Sequence, residues 1–148
     1  MAFVIVAIQL GNLDKVDMGK TPTQAAIKYL KGLGYAVGIV EHWNSWAKIR
    51  QDLFGFIDLI AVSPSGVVLY AQVTSASNMS ARIKKIKSIT NGVPQALANL
   101  NGPTTRLLVM GYKKRNKAKN KPAEILITDM KDLLDYPTIE VSEKFCLI

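Results

Sequence analysis

Residues Phe54–Val73 read FGFIDLIAVSPSGVVLYAQV, two apolar runs on either side of a short polar stretch. Ser63–Gly66 (SPSG) has the composition of a turn, so Gly55–Ser63 and Val67–Thr74 are expected to pair as a hairpin. Both runs are apolar on successive residues, the pattern of strands covered on both faces by packed helices. Each is interrupted by polar residues, Asp58 in the first and Gln72 and Thr74 in the second. A carboxylate left unpaired among Phe56, Ile57, Leu59, Ile60 and Ala61 costs on the order of several kcal/mol. It calls for a compensating group: a structural Arg, a loop cap or a divalent cation. Gln72 and Thr74, two residues apart, project from one face, and the turn brings their strand alongside Asp58. An acid, a carboxamide oxygen and a hydroxyl form a set of hard oxygen ligands of the kind magnesium accepts; a hydrogen-bonded polar pair is the plainer alternative.

Outward from the hairpin, Thr21 to Gly32 has helical periodicity. Ala25, Ile27, Leu30 and Leu33 share a face, Thr21 is a cap, Pro22 follows it and Gly34 lies at the exit. The glycines of KGLGYAVG follow a helix rather than a strand and read as helix termination, not as a phosphate loop. Tyr35–Trp43 is expected to form a first strand, before the hairpin. After it, Met79–Ser88 (MSARIKKIKS) predicts a helix with Ile83 and Ile86 inward and Arg82, Lys84, Lys85 and Lys87 outward. Pro94–Leu100 predicts a further helix, Arg106–Tyr112 a fourth strand and Glu124–Thr128 a fifth. Asp129 is expected to cap a short helix through Leu134. The order gives an α/β (α+β) fold, a mixed central sheet of four to five strands flanked by helices.

The 148 residues, 49% hydrophobic and 20% charged, suit one domain spanning 1–148. Six of the nineteen Lys and Arg residues lie in the basic loop 113–121 (Lys113, Lys114, Arg115, Lys117, Lys119 and Lys121), which leaves only +2 of the net +8 for the rest of the chain. Such local basicity suits phosphate contacts. A single Cys146 excludes an internal disulfide framework and a zinc–thiolate cluster, and points to a reducing, cytoplasmic setting (host cell or virion). MAFVIVAIQL is too short to span a bilayer, so no membrane association is expected; it reads as a strand or a packed tail. Residues 1–17 are read as a peripheral extension if the natural start is Met18.

The ordered set of a helix, IDLIA on a strand, a turn, QVT on the next strand and a basic helix resembles the PD-(D/E)XK nuclease superfamily, which includes restriction-type endonucleases and Holliday-junction resolvases. The resemblance covers roughly residues 21–112. It implies a restriction-endonuclease-like core, with Asp58 as metal-binding aspartate and Gln72 where the second acid usually lies. Thr74 would stand at the usual lysine position, and Gln24 at the position of the frequent helical glutamate. Gln in place of an acid keeps an oxygen but removes a negative charge, and the missing lysine removes a group that orients the attacking water. Lys85 or Lys84 can supply that group from the following helix, and Asp52 and Glu41 are additional acids within reach if the intervening loop bends inward.

The implied activity is Mg2+- or Mn2+-dependent hydrolysis of DNA phosphodiesters, with Asp58 and Gln72 as metal ligands and Asp58, Gln72, Thr74, Gln24 and Lys85 as the catalytic set. Arg82, Lys84, Lys85 and the 113–121 loop would hold the backbone; RNA and a homodimer are left open. The alternative is a module that keeps the fold, has lost catalysis and binds nucleic acid or serves in an assembly. His42, with no companion His or Cys, reads as a packing or surface residue. Trp43 and Trp46 read as core or rim packing rather than base-stacking platforms, and an exposed Trp46 beside Lys48 and Arg50 would reopen that question.

Overall fold

The computed structural model describes residues 5–9, 21–99, 104–121 and 123–130. Its elements are β1 (Ile5–Gln9), α1 (Pro22–Gly32), β2 (Ala36–Ile39), β3 (His42–Asn44), β4 (Ile49–Gln51), β5 (Leu59–Val62), β6 (Val68–Ser75), a 3-10 turn (Ala76–Asn78), α2 (Met79–Ser88), α3 (Val93–Asn99), β7 (Thr105–Lys113) and β8 (Glu124–Asp129). Six strands form one mixed sheet in the order β1-β8-β7-β6-β5-β2, and β3 and β4 form a separate hairpin. β6 and β7 are parallel, joined through α2 and α3; the other neighbours are antiparallel. The strand beyond the expected four to five is β1, which pairs with β8 at the sheet edge. Residues 10–18 and the expected helix through Leu134 lie outside the described residues.

The uninterrupted apolar runs are explained by cores on both faces of the sheet. On β7, Leu108 and Met110 join Leu59, Ala61, Leu69, Ala71 and Val73 beneath Ala26 and Leu30 of α1. Leu107 and Val109 face the other way, against Met79, Ile83 and Ile86 of α2, Leu97 of α3, and Phe56 and Ile57. Alternation along the strands therefore sends Asp58, Ile60, Tyr70, Gln72 and Thr74 toward the α2–α3 side. Gly111 lies on that side too, where a Cβ would run into the Met79 side chain and the backbone of Ala76. Its missing side chain is what lets the turn after β6 cross close over β7.

The SPSG turn sets the register. Gly66 N–H donates to Ser63 O at 3.0 Å, Ser63 N–H to Val67 O at 2.9 Å, and Val67 N–H to Ser63 Oγ at 3.0 Å. Val62 then pairs with Val68 and Leu59 with Ala71, which sets Asp58 beside Gln72.

Two expectations are corrected. The run Tyr35–Trp43 is not one strand: after β2, Val40 N–H donates to Asp58 O at 2.9 Å and the chain leaves the sheet to build the β3–β4 hairpin. The second strand begins at Leu59 rather than Gly55, because residues 52–57 close a tight turn in which Leu53 and Ile57 bridge and Gly55 N–H donates to Asp52 O at 3.0 Å. Asp129 is the last residue of β8, and its Oδ2 accepts from Arg106 Nη1 at 2.7 Å.

Candidate functional site

Asp58 stands where the β5–β6 ladder stops, and its side chain continues the ladder. Its N–H donates to Ala71 O at 2.9 Å, while its Oδ2 accepts the N–H of Val73 at 2.8 Å and Nε2 of Gln72 at 2.6 Å. The residue is 4% exposed and Gln72 1%. The Oε1 of Gln72, on the same carboxamide that holds Asp58, is buried without a hydrogen-bond partner. Thr74 is buried one step further along the same face of β6.

Two more carboxylates arrive from the hairpin that interrupts the sheet. Glu41 precedes β3 and Asp52 follows β4, so the hairpin begins beside one acid and ends beside the other. Asp52 is turned inward by the 52–57 turn, whose Gly55 has φ 83, a left-handed conformation in which a side chain is strained. Phe56 and Ile57, both fully buried, anchor that turn in the α2-side core. Ligand atoms of Glu41, Asp52 and Asp58 all lie within 4.8 Å of one another, a group that could hold a metal ion.

Around this cluster, Arg50 Nη1 lies 3.1 Å from Glu41 Oε1 and Lys85 Nζ, from α2, 3.7 Å from Asp52 Oδ2. Among the described residues no basic side chain pairs with Asp58. Burial pushes its carboxyl from 3.8 up to about 7; the Val73 N–H opposes the shift, and a hydrogen bond to Asp52 and the charges of Asp52 and Glu41 add to it. Three carboxyls facing two bases, one of them buried with no cation of its own, is an electrostatic arrangement that a divalent ion would complete. The fit extends to donor chemistry, since carboxylates and a carboxamide oxygen are the ligands of a hard cation. A cleft of about 600 Å³ opens beside the cluster, lined by His42, Arg50, Asp52, Phe54 and Lys85 among others.

The remaining residues of interest fall into two groups. Arg82 and Lys84 lie on α2 with Lys85, and the apolar positions of that helix, Ile83 and Ile86, are buried as the spacing predicts. The basic run leaves the sheet after β7, at the end where parallel β6 also finishes. It folds back on itself through mutual Asn116 and Lys121 backbone bonds of 3.0 Å, so Lys113, Lys114, Lys119 and Lys121 line one cleft of about 190 Å³; Arg115 and Lys117 are exposed on the same loop. Gln24 does not join the carboxylates as a helical acid would: its Oε1 accepts Thr21 N–H at 3.3 Å and its N–H donates to Thr21 Oγ1 at 3.2 Å, a reciprocal cap at the start of α1.

His42 lines the cleft, outside the cluster of carboxylates. The tryptophans are not core residues: Trp46, at the hairpin tip, is 96% exposed and Trp43 60%. Their apolar character suggests packing, but the hairpin lies outside the six-stranded sheet and its two cores. Among the described residues, no helix is long and apolar enough to cross a membrane. No family model matches the chain, and no curated protein or solved structure matches it.

Proposed function

We propose that the protein is a divalent-cation-dependent nuclease that hydrolyses DNA phosphodiesters, with a site of the PD-(D/E)XK kind whose second acid is supplied from outside β6. The observation that carries this reading is the meeting of Glu41, Asp52 and Asp58 within 4.8 Å, beside the unpartnered Oε1 of Gln72. The charge absent at Gln72 is thereby restored from the hairpin flanks. Asp58, Asp52 and Glu41, with Gln72 as a neutral donor, are the residues that would hold Mg2+ or Mn2+. Such an ion, when bound, supplies Lewis acidity at the scissile phosphate and a more acidic water.

The side chains of this chain do the rest. Lys85, held toward Asp52, replaces the lysine missing at Thr74 and orients the attacking water while offsetting charge on the phosphate. Arg50 braces Glu41. Arg82, Lys84 and the 113–121 loop bind backbone phosphates without reading bases. A cytoplasmic setting accords with this chemistry.

The test is incubation of plasmid and linear DNA with the protein in Mg2+ or Mn2+. Wild type should cut; Asp58→Ala and Asp58→Asn should not, the second keeping an acceptor for Val73 N–H. Equal cleavage by Asp58→Asn would overturn the assignment. Salt-sensitive binding by a wild type that never cuts would support the rival reading favoured by Gln72 and Thr74, a binding module on a nuclease fold.

A further inference from the structure

The β3–β4 hairpin has aromatic side chains turned to solvent, which a structural role does not require. Its four-residue tip is built firmly: Asn44 Oδ1 accepts the N–H groups of Trp46 and Ala47 at 3.0 and 3.1 Å, and Lys48 takes the left-handed conformation at φ 52. Trp43 pairs across the hairpin with Arg50, so the two share a face. The two-residue period carried one step past each strand places Glu41 and Asp52 on that face as well, and the Arg50–Glu41 contact of 3.1 Å agrees with this. One face thus runs from Glu41 and Asp52 past Arg50 to Trp43, and Trp46 stands 96% exposed at the tip beyond it.

From His42 to Gln51 the sequence HWNSWAKIRQ has Lys48 and Arg50 and no carboxylate. That composition suits a polyanion with exposed aromatic faces. It disfavours a second copy of the chain, which would oppose like charges tip to tip. Three residues of strand at about 3.3 Å each put the tip roughly 10 Å from the acids, the span of about three stacked nucleotides at roughly 3.4 Å per step.

We propose that this hairpin is a binding platform for single-stranded DNA: Trp46 and Trp43 stack on unpaired bases while Lys48 and Arg50 meet the adjoining phosphates. An intact duplex presents no free base faces to such a platform. Where it concerns cleavage, the inference rests on the nuclease reading and narrows its substrate to DNA with an unpaired segment next to the scissile bond. The binding claim stands separately.

The experiment measures fluorescence anisotropy of a labelled oligothymidylate and of a blunt duplex of equal length, with the full chain in EDTA so that no cleavage intervenes. The single strand should bind more tightly. Trp46→Ala should weaken its binding roughly ten-fold or more while leaving the duplex affinity unchanged, and Trp46→Phe should recover most of the loss. Trp46 is exposed, so the variant is expected to keep wild-type circular dichroism. Equal single-strand affinity in wild type and Trp46→Ala overturns the proposal, as does a duplex preference in the wild type. A dimer in sedimentation that Trp46→Ala dissociates, with DNA binding unchanged, overturns it too. Failure of the nuclease reading would show separately, as absent cleavage in Mg2+ with these binding results intact.

Discussion

Gln72 Nε2 donates to Asp58 Oδ2 at 2.6 Å, so the residue standing where an acid is expected is a hydrogen-bond donor to the acid that is present. That amide and the Val73 N–H are the two donors to the buried Oδ2. A carboxylate at 72 would add a fourth acid to Glu41, Asp52 and Asp58. Gln72→Glu should therefore lower the melting temperature in EDTA, by about 1–3 kcal/mol of stability, and raise Mg2+ affinity. Melting curves with and without Mg2+ read both effects, and an unchanged Mg2+ increment would place the ion away from position 72.

The elevated Asp58 pKa has a definite sign. The folded-state value of about 7 lies above the ordinary 3.8, so between these values the folded protein holds a proton that the unfolded chain has released. Its contribution to stability is full below about pH 4 and is lost as pH rises to about 7. A cation selects the ionised carboxyl, so stabilisation by Mg2+ should grow across the same window and level off above it. Thermal melts against pH, in EDTA and in Mg2+, test this, with Asp58→Asn expected to lack the trend. A Mg2+ increment that is flat across the window would remove Asp58 from the ligand set.

Lys85 is 42% exposed and lies 3.7 Å from Asp52, a contact of little worth to folding. Lys85→Ala should change stability by no more than about 0.5 kcal/mol yet reduce the cleavage rate about 100-fold. Full activity in this variant would return the lysine role to another side chain.

Gly111 is a packing prediction independent of function. Gly111→Ala sets a methyl against Met79 and the Ala76 backbone, and should destabilise by about 1–3 kcal/mol. Denaturant unfolding measures it. A neutral result would mean the turn after β6 can lift away from β7.

Changing Lys113, Lys114, Lys119 and Lys121 to Gln should weaken binding to all DNA sequences alike and flatten its salt dependence. The slope should fall by about one for each phosphate that the loop no longer neutralises. An unaltered slope would leave the loop as a solvated surface.

The parts legible from sequence are those governed by local chemistry. SPSG announces its turn, and the turn fixes the register that brings Gln72 to Asp58. The alternation of Ile83 and Ile86 with lysines places α2, and the lysine-rich run falls in the turn between β7 and β8. What periodicity does not show are the long-range contacts. YAVGIV remains apolar through Val40, whose N–H bond to the Asp58 carbonyl extends the β2–β5 pairing by one residue, and the chain then departs into a hairpin in which Arg50 holds Glu41 from nine residues away. Asp52 joins the acids only because its loop bends inward, and that bend depends on Gly55 and on the burial of Phe56, neither marked by any repeat. Tryptophan reads as interior on hydrophobicity alone, and only topology reveals a hairpin outside the sheet and, among the described residues, outside its two cores.

The bond from Val73 N–H to Asp58 Oδ2 limits how position 58 can evolve. An amide in the middle of β6 relies on a side chain for its acceptor, so a descendant with no need of a carboxylate would still be selected to keep an acceptor there. Asparagine meets that demand and alanine does not. On the nuclease reading, polarity at 58 among diverged copies of such a chain would report only on the sheet, and a drift from Asp to Asn would mark the loss of the proposed cation.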